Sequence, residues 1–141
     1  MNRSLKAVRI ASNFEKVLGG TPVVRLWDFL ITSRGLFDYS MTDICEATGI
    51  AWNTLKEIFP AFARKGVVRK TREIGRAKMY QLDEKHPNSL FMIGLHNAIS
   101  MAFVHGGNFK LEVKVIQNGR HTRPVEVDIS RKAFEAVAIS K

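Results

Sequence analysis

The chain has 141 residues, 45% of them hydrophobic and 25% charged, the make-up of one compact domain with room for a small appendage. Its single cysteine, Cys45, excludes an intramolecular disulfide and a multi-cysteine zinc site, and fits a reducing cytoplasm as the expected location. With 22 Lys+Arg against 13 Asp+Glu the net charge is +9, which calls for a polyanionic partner: DNA, RNA or anionic lipid.

In chain order, residues 4–18 read as a helix with Leu5, Val8, Phe14, Val17 and Leu18 on one stripe, ended by Gly19-Gly20. The first ten residues are basic, but no continuous apolar run follows, so no signal peptide is expected. Thr21-Pro22 opens a stronger helix, since Thr caps free amides and Pro is tolerated at the first helical position. Val23, Val24, Leu26, Trp27, Leu30 and Ile31 give it a wide apolar face. Gly35 suits a left-handed residue past the helix end, and Leu36 to Tyr39 reads as a short extended piece.

Ser40 is the expected N-cap of the next helix, with Asp43 three residues on as its acidic partner. Its inward positions are Met41, Ile44, Cys45 and Ala47. Cys45 at an apolar position reads as a buried thiol rather than a nucleophile. After the turn Thr48-Gly49-Ile50 a third helix spans Trp52 to Arg64, with Leu55, Ile58, Phe59 and Phe62 facing inward. Pro60 inside it removes a backbone bond and is expected to bend or break it. Gly66 closes the helix.

Val67 to Glu73 and Ala77 to Leu82 read as two strands around a tip at Ile74-Gly75-Arg76. Strict alternation would put Lys70 and Arg72 on one face and Arg69 on the other. Lys85 to Asn88 is a loop and cap. Ser89 to Val104 is a helix apolar nearly all round, which in a small domain suggests burial against a second subunit as well as its own core. It falls short of the ~20 residues of a membrane span and carries His96, Asn97 and Ser100, so no membrane partner is expected. Phe109 to Val115 alternates as a half-buried strand. Asn118-Gly119 signals a hairpin, with a return strand through Val125, Val127 and Ile129 and an edge position indicated by Pro124. Ser130 is read as the cap of a last short helix through Phe134, Val137 and Ile139.

Charge is not spread evenly along this order. Residues 51–80 hold eight basic and two acidic side chains, and so contribute six of the nine net positive charges. A solvated surface spreads its charge, so the cluster asks for a reason. On the third helix the outward positions near its start are Trp52, Asn53, Lys56 and Glu57. Asn can read adenine, Lys can read guanine acceptors or hold phosphate, and Glu can accept from cytosine. Trp52 can touch a thymine methyl or pack on the preceding turn. Thr54 can cap the helix or contact phosphate. The hairpin carries Arg69, Lys70, Arg72, Arg76 and Lys78, a basic edge that suits backbone or minor-groove contact. It could equally be a solvated edge strand guarded by its charges. Arg64 and Lys65 join the basic set, or complement the carbonyl end of their own helix.

The order helix, short strand, helix, turn, helix, strand, tip, strand resembles the winged helix-turn-helix family of transcription regulators. The resemblance rests on "MTDICEATGIAWNTLKEIFPAFARKGVVRKTREIGRAKMYQL", Met41 to Leu82, with the helix from Thr21 before it. "TLKEIFPAFARKGVVRK" followed by a basic hairpin is similar to small archaeal and bacterial members; Pro60 departs from their usual pattern. The resemblance implies an α+β, mainly α fold: a winged helix-turn-helix domain at 21–82 after an N-terminal helix at 1–20. A further apolar helix follows at 83–106, then a β-hairpin and short helix at 107–141. It also implies double-stranded DNA binding, with the third helix in the major groove and the basic wing on the backbone or minor groove. The expected role is transcription regulation by a homodimer paired through Leu90, Phe91, Ile93, Leu95, Ile99 and Phe103. The alternatives are a protein-interaction or RNA-binding module, or a replication or partition protein of a mobile element.

Catalysis is not expected. His86, His96, His105 and His121 lack metal-ligand spacing, no glycine-rich loop follows a strand as a phosphate cradle does, and no nucleophile–base set stands out, so no cofactor or metal is expected.

Overall fold

The computed structural model describes residues 10–104 with their side chains, together with the backbone of His105 and of the strands at 108–113, 116–117, 120–121 and 125–130. The fold is α+β and mainly helical. Helices α1 (Asn13–Leu18), α2 (Pro22–Thr32), α3 (Met41–Thr48) and α4 (Trp52–Arg64) precede a hairpin of β1 (Val68–Ile74) and β2 (Ala77–Leu82). The long α5 (Pro87–His105) follows, then β3 (Asn108–Val113), β4 (Ile116–Gln117), β5 (Arg120–His121) and β6 (Val125–Ser130).

Local chemistry explains most boundaries. Thr21 caps α2 by accepting from the Val24 amide, with Pro22 in its first turn. Ser40 and Asp43 form a reciprocal capping box at the start of α3. Gly49 ends α3 in the left-handed region at φ 74°, where a β-carbon would be strained. Beside it the buried Thr48 hydroxyl donates to the Ile44 carbonyl and accepts from the Ile50 amide at 3.2 Å, which locks the turn between α3 and α4. Position 48, not the exposed Ala47, therefore faces the core.

Several expectations need correction. Among the described residues, the helix expected over 4–18 runs from Asn13 to Leu18, where Ser12 caps it by accepting from the Glu15 amide; residues 1–9 lie outside the described residues. Helix α2 ends at Thr32, three residues before Gly35, which does adopt a left-handed conformation. Pro60 does not break α4, which runs through to Arg64. Pro60 cannot donate to the Lys56 carbonyl, but both residues lie on the exposed face, where water can take the donor's place. Ile74 belongs to β1 and pairs with Ala77, so the hairpin tip is the two residues Gly75 and Arg76.

The main core joins Leu26 and Leu30 of α2, Ile44 of α3, Leu55, Phe59 and Phe62 of α4, and Val68 and Leu82 of the hairpin. The hairpin is also tied down by a two-way backbone bridge: the Tyr39 amide donates to the Tyr80 carbonyl at 2.8 Å, and the Tyr80 amide donates back at 2.7 Å. The Tyr39 ring meets Phe29 of α2 edge-on, and the Tyr80 ring meets Phe59 of α4 the same way. Helix α5 buries Ala98, Ile99 and Ala102, and its His96 ring lies against Phe14 of α1 and bonds Asp28 of α2 at 2.8 Å. Beyond α5, β3 and β6 pair antiparallel from Asn108↔Ser130 to Val113↔Val125, and β4 pairs with β5 around residues 118–119. Ser130 is the last residue of β6; residues 118–119, Pro124 and the helix expected after Ser130 lie outside the described residues.

Replacing Thr48 by valine keeps the shape and removes the acceptor for the Ile50 amide. Urea unfolding should show a loss of about 1–3 kcal/mol. Ala47→Val, one residue away on the exposed side, should stay within about 0.5 kcal/mol.

Candidate nucleic-acid interface

Helix α4 turns Leu55, Phe59 and Phe62 fully inward and half-buries Ile58. That commitment leaves Trp52, Asn53, Lys56 and Glu57 on the outside, as the spacing predicts, with Trp52 48% exposed. Thr54 is half-buried and does not cap the helix; the N-cap position is Ala51, which offers no side-chain acceptor. The starts of α1, α2 and α3 are each capped by a hydroxyl, so α4 stands apart with its first-turn amides free of side-chain caps. Those amides and the helix dipole favour a negative group.

A cleft of about 390 Å³ opens beside this helix start. Ser40, Met41 and Thr42 from the start of α3 form one wall, Trp52 another, and Arg76, Ala77, Lys78 and Tyr80 from the hairpin the third. Trp52, Arg76 at the hairpin tip and Lys78 in β2 thus face a common space, although Trp52 lies far from the other two along the chain. The Tyr39–Tyr80 bridge sets the width of the cleft, because it fixes β2 against the strand-like segment that leads into α3.

The other hairpin cations are arranged differently from the alternation read from sequence. The register slips between Lys70 and Arg72, so Thr71 is an extra residue in β1. Arg69 pairs with Gln81 and Arg72 with Met79, two positions apart on β2, which puts both arginines on one face. Lys70 pairs with Tyr80 and Glu73 with Lys78, which puts Lys70 on the opposite, cleft-side face. The expected grouping of Lys70 with Arg72 is therefore overturned by one inserted residue.

Ion pairing separates the cations further. Arg72 grips Asp38 with two parallel bonds, Nε to Oδ2 at 2.8 Å and Nη2 to Oδ1 at 3.0 Å, while the Thr71 hydroxyl donates to the same carboxylate. The Arg72 guanidinium first, and the Thr71 hydroxyl second, hold the Asp38 carboxyl well below the usual carboxylate range. Arg72 is pushed up in return by Asp38. Lys70 pairs with Glu73, whose carboxyl it lowers. Arg69 donates to the Gln81 side chain at 3.2 Å. Among the described residues, Arg76 and Lys78 form no ion pair within 4 Å.

Arg64 and Lys65 lie at the far end of α4. Twelve residues at 1.5 Å each place Arg64 roughly 18 Å along the axis from Trp52. They sit at the carbonyl end of their helix, which favours cations, and Lys65 also edges a smaller cleft of about 190 Å³ with Trp27 and Phe62. The site therefore gathers Trp52, Arg76 and Lys78, keeps Asn53, Lys56 and Glu57 on the adjoining surface, and leaves Arg69, Arg72, Arg64 and Lys65 elsewhere. Asp38 and Tyr80 had no assigned role in the sequence reading. Nothing local marks Asp38, whose partner lies 34 residues away.

The residues expected to pair two subunits also separate. Leu90 and Phe91 are 57% and 63% exposed, but Ile99 is fully buried within the chain and Ile93 packs against the core. Leu95 and Phe103 are half-buried. Cys45 is half-buried, and burial pushes its thiol up, away from the reactive thiolate. Among the described residues no cluster of His, Cys, Asp and Glu could hold a metal ion, and no helix is long and apolar enough to cross a membrane. Searches against protein-family models, curated proteins and solved structures find no match to this chain.

The Asp38–Arg72 contact gives a pH test. A carboxyl lowered by folding stabilises the fold above its unfolded value, near ~3.9, and that contribution fades as pH falls through the lowered native value. In an NMR titration the Asp38 carboxylate should stay ionised after the other aspartates have begun to protonate. In Arg72→Ala it should protonate at a higher pH than in the wild-type chain, with the Thr71 hydroxyl still holding it down in part.

Proposed function

We propose that this chain is a winged helix-turn-helix protein that binds double-stranded DNA and acts as a transcription regulator. Helices α3 and α4 form the helix-turn-helix, and the β1–β2 hairpin is the wing. The observation that carries the reading is the cleft in which Trp52, the uncapped start of α4 and the cations Arg76 and Lys78, which form no ion pair among the described residues, converge. A helix of ~10–12 Å diameter fits the major groove of B-DNA, about 12 Å wide. A-form RNA has a deep, narrow major groove that does not admit it, so duplex DNA is the better match.

In this arrangement α4 enters the major groove by its N-terminal half. Asn53 offers its amide to adenine and Lys56 its ammonium to guanine or a phosphate, while Glu57 can accept from the cytosine amino group. The free amides at the start of α4 receive a phosphate oxygen, and the hairpin tip follows the backbone with Arg76 and Lys78. Trp52 covers the sugar edge between them. Lys70 and Arg72, each engaged by a carboxylate, contribute field rather than direct contact.

The double substitution Arg76→Glu with Lys78→Glu should weaken binding to every duplex roughly tenfold or more at low salt. Neutralising either residue should flatten the dependence of affinity on salt by about one phosphate's worth. Lys70→Ala with Arg72→Ala should have the smaller effect. Asn53→Ala should change the base preference found by selection from random duplexes, at a cost of about 1–3 kcal/mol at the preferred site, without changing the salt slope. Anisotropy titrations with duplex, single-stranded DNA and RNA read all of these. Equal affinity for the three polymers, or variants that bind as wild type does, would overturn the proposal.

A further inference from the structure

We infer that the smaller cleft, at the far end of α4, is a binding site for a small carboxylate carried on a single aromatic ring. The cleft holds about 190 Å³ and lies where α2, the last turns of α4, the residue before β1 and the start of α5 meet. An apolar cavity of roughly 150 Å³ takes one benzene, so this one has room for a ring with a short polar substituent. Drug-sized ligands occupy about 300–1,000 Å³ and are too large for it.

The walls favour a ring. Trp27 of α2 and Phe62 of α4 both line the cleft, with ring centroids 5.0 Å apart and planes inclined at 49°. An aromatic ring seated against such a pair gains offset-stacked and edge-on contacts that a saturated ring lacks. Val67 is buried beside them. Its amide donates to the Phe62 carbonyl at 3.0 Å, and its carbonyl accepts from the Asp83 amide at 2.8 Å. With both backbone groups engaged, that part of the lining offers a ligand only hydrocarbon.

The edge favours a negative charge. Lys65 lines the cleft, is exposed, and forms no ion pair within 4 Å among the described residues. The lining contains no Asp or Glu. The carbonyl end of a helix ordinarily repels an anion. Here the Ala61, Phe62 and Ala63 carbonyls accept from the amides of Lys65, Val67 and Gly66, so the end of α4 is largely capped. Asn88, in the first turn of α5, adds a second donor. Its backbone amide is taken by the His86 ring, while its side-chain amide has no partner among the described residues. The net charge of +9 draws anions toward the chain as a whole. A ring between Trp27 and Phe62 with its carboxylate at Lys65 and Asn88 satisfies all of these groups together. The inference uses nothing at the start of α4 and does not depend on duplex binding.

Titrating benzoate into the nitrogen-15-labelled full chain tests it by NMR. The chain has two tryptophans, Trp27 and Trp52, and Trp52→Phe assigns their indole N–H signals. The Trp27 signal should shift saturably at millimolar benzoate, and the Trp52 signal should stay in place. Benzyl alcohol keeps the ring without the charge and should bind roughly tenfold more weakly. Cyclohexanecarboxylate keeps the charge without the aromatic face and should bind about threefold more weakly. Lys65→Gln should bring benzoate down to the level of benzyl alcohol and leave benzyl alcohol unchanged. Ala61→Leu, which fills the cleft from α4, should abolish binding of both with an unchanged circular dichroism spectrum. A Trp27 signal that does not move overturns the inference, as does benzoate binding no tighter than benzyl alcohol. So does a Lys65→Gln variant, or a folded Ala61→Leu variant, that binds benzoate as the wild-type chain does. Loss of duplex binding with benzoate still bound would count against the proposed function and leave this site standing.

Discussion

The backbone bridge between Tyr39 and Tyr80 is the constraint on which the candidate site depends. It joins two segments some forty residues apart in sequence and holds the hairpin against the helices through a pair of hydrogen bonds. The two rings extend the joint in opposite directions, Tyr39 to Phe29 and Tyr80 to Phe59. Helix α4, the hairpin and the entry to α3 are therefore tied together. With Val68 and Leu82 seated in the core beside α4, that joint sets the spacing of Trp52 and Arg76 across the cleft.

Within this frame the basic residues divide by what they touch. Arg72 and Lys70 are engaged by Asp38 and Glu73, and Arg69 by an amide. Their contribution is to the shape of the hairpin and the joint behind it. Arg76 and Lys78, at the tip and on the return strand, keep their charge available. Exposed ion pairs contribute little stability in water, so the pairings at Asp38 and Glu73 are better understood as placing side chains than as holding the fold together. A count of positive charges over residues 51–80 identifies the region but overstates how much of it can meet a polyanion.

How much of this was legible in the sequence depends on range. Features set by neighbours within four residues were readable: the Thr21-Pro22 start, the left-handed Gly35, the Ser40–Asp43 box, the turn at Gly49 and the inward set Leu55, Phe59 and Phe62. Ser12 with Glu15 three residues on carries the same kind of signal, masked in the sequence by the longer apolar stripe that runs through it. Features set across the chain were not readable. No residue type announces the extra Thr71 in β1, so alternation assigned the arginines to the wrong faces. The engaged state of Arg72 depends on a carboxylate contributed by the loop before α3. In α5 nearly every residue is apolar, so hydrophobicity could not separate the side that packs inward from the side that does not; burial separates Ile99 from Met101.

The extra residue at Thr71 gives two consecutive side chains one target. Strict alternation sends neighbours in a strand to opposite faces, yet Thr71 and Arg72 both reach the Asp38 carboxylate. A chain without Thr71 would close the bulge with Lys70 still opposite Tyr80 and Arg72 still opposite Met79. The faces on which the cations stand would survive, while the clasp on Asp38 would lose its hydroxyl. The inserted residue is thus a fastener between the hairpin and the segment before α3, rather than a selector of which charges the hairpin presents.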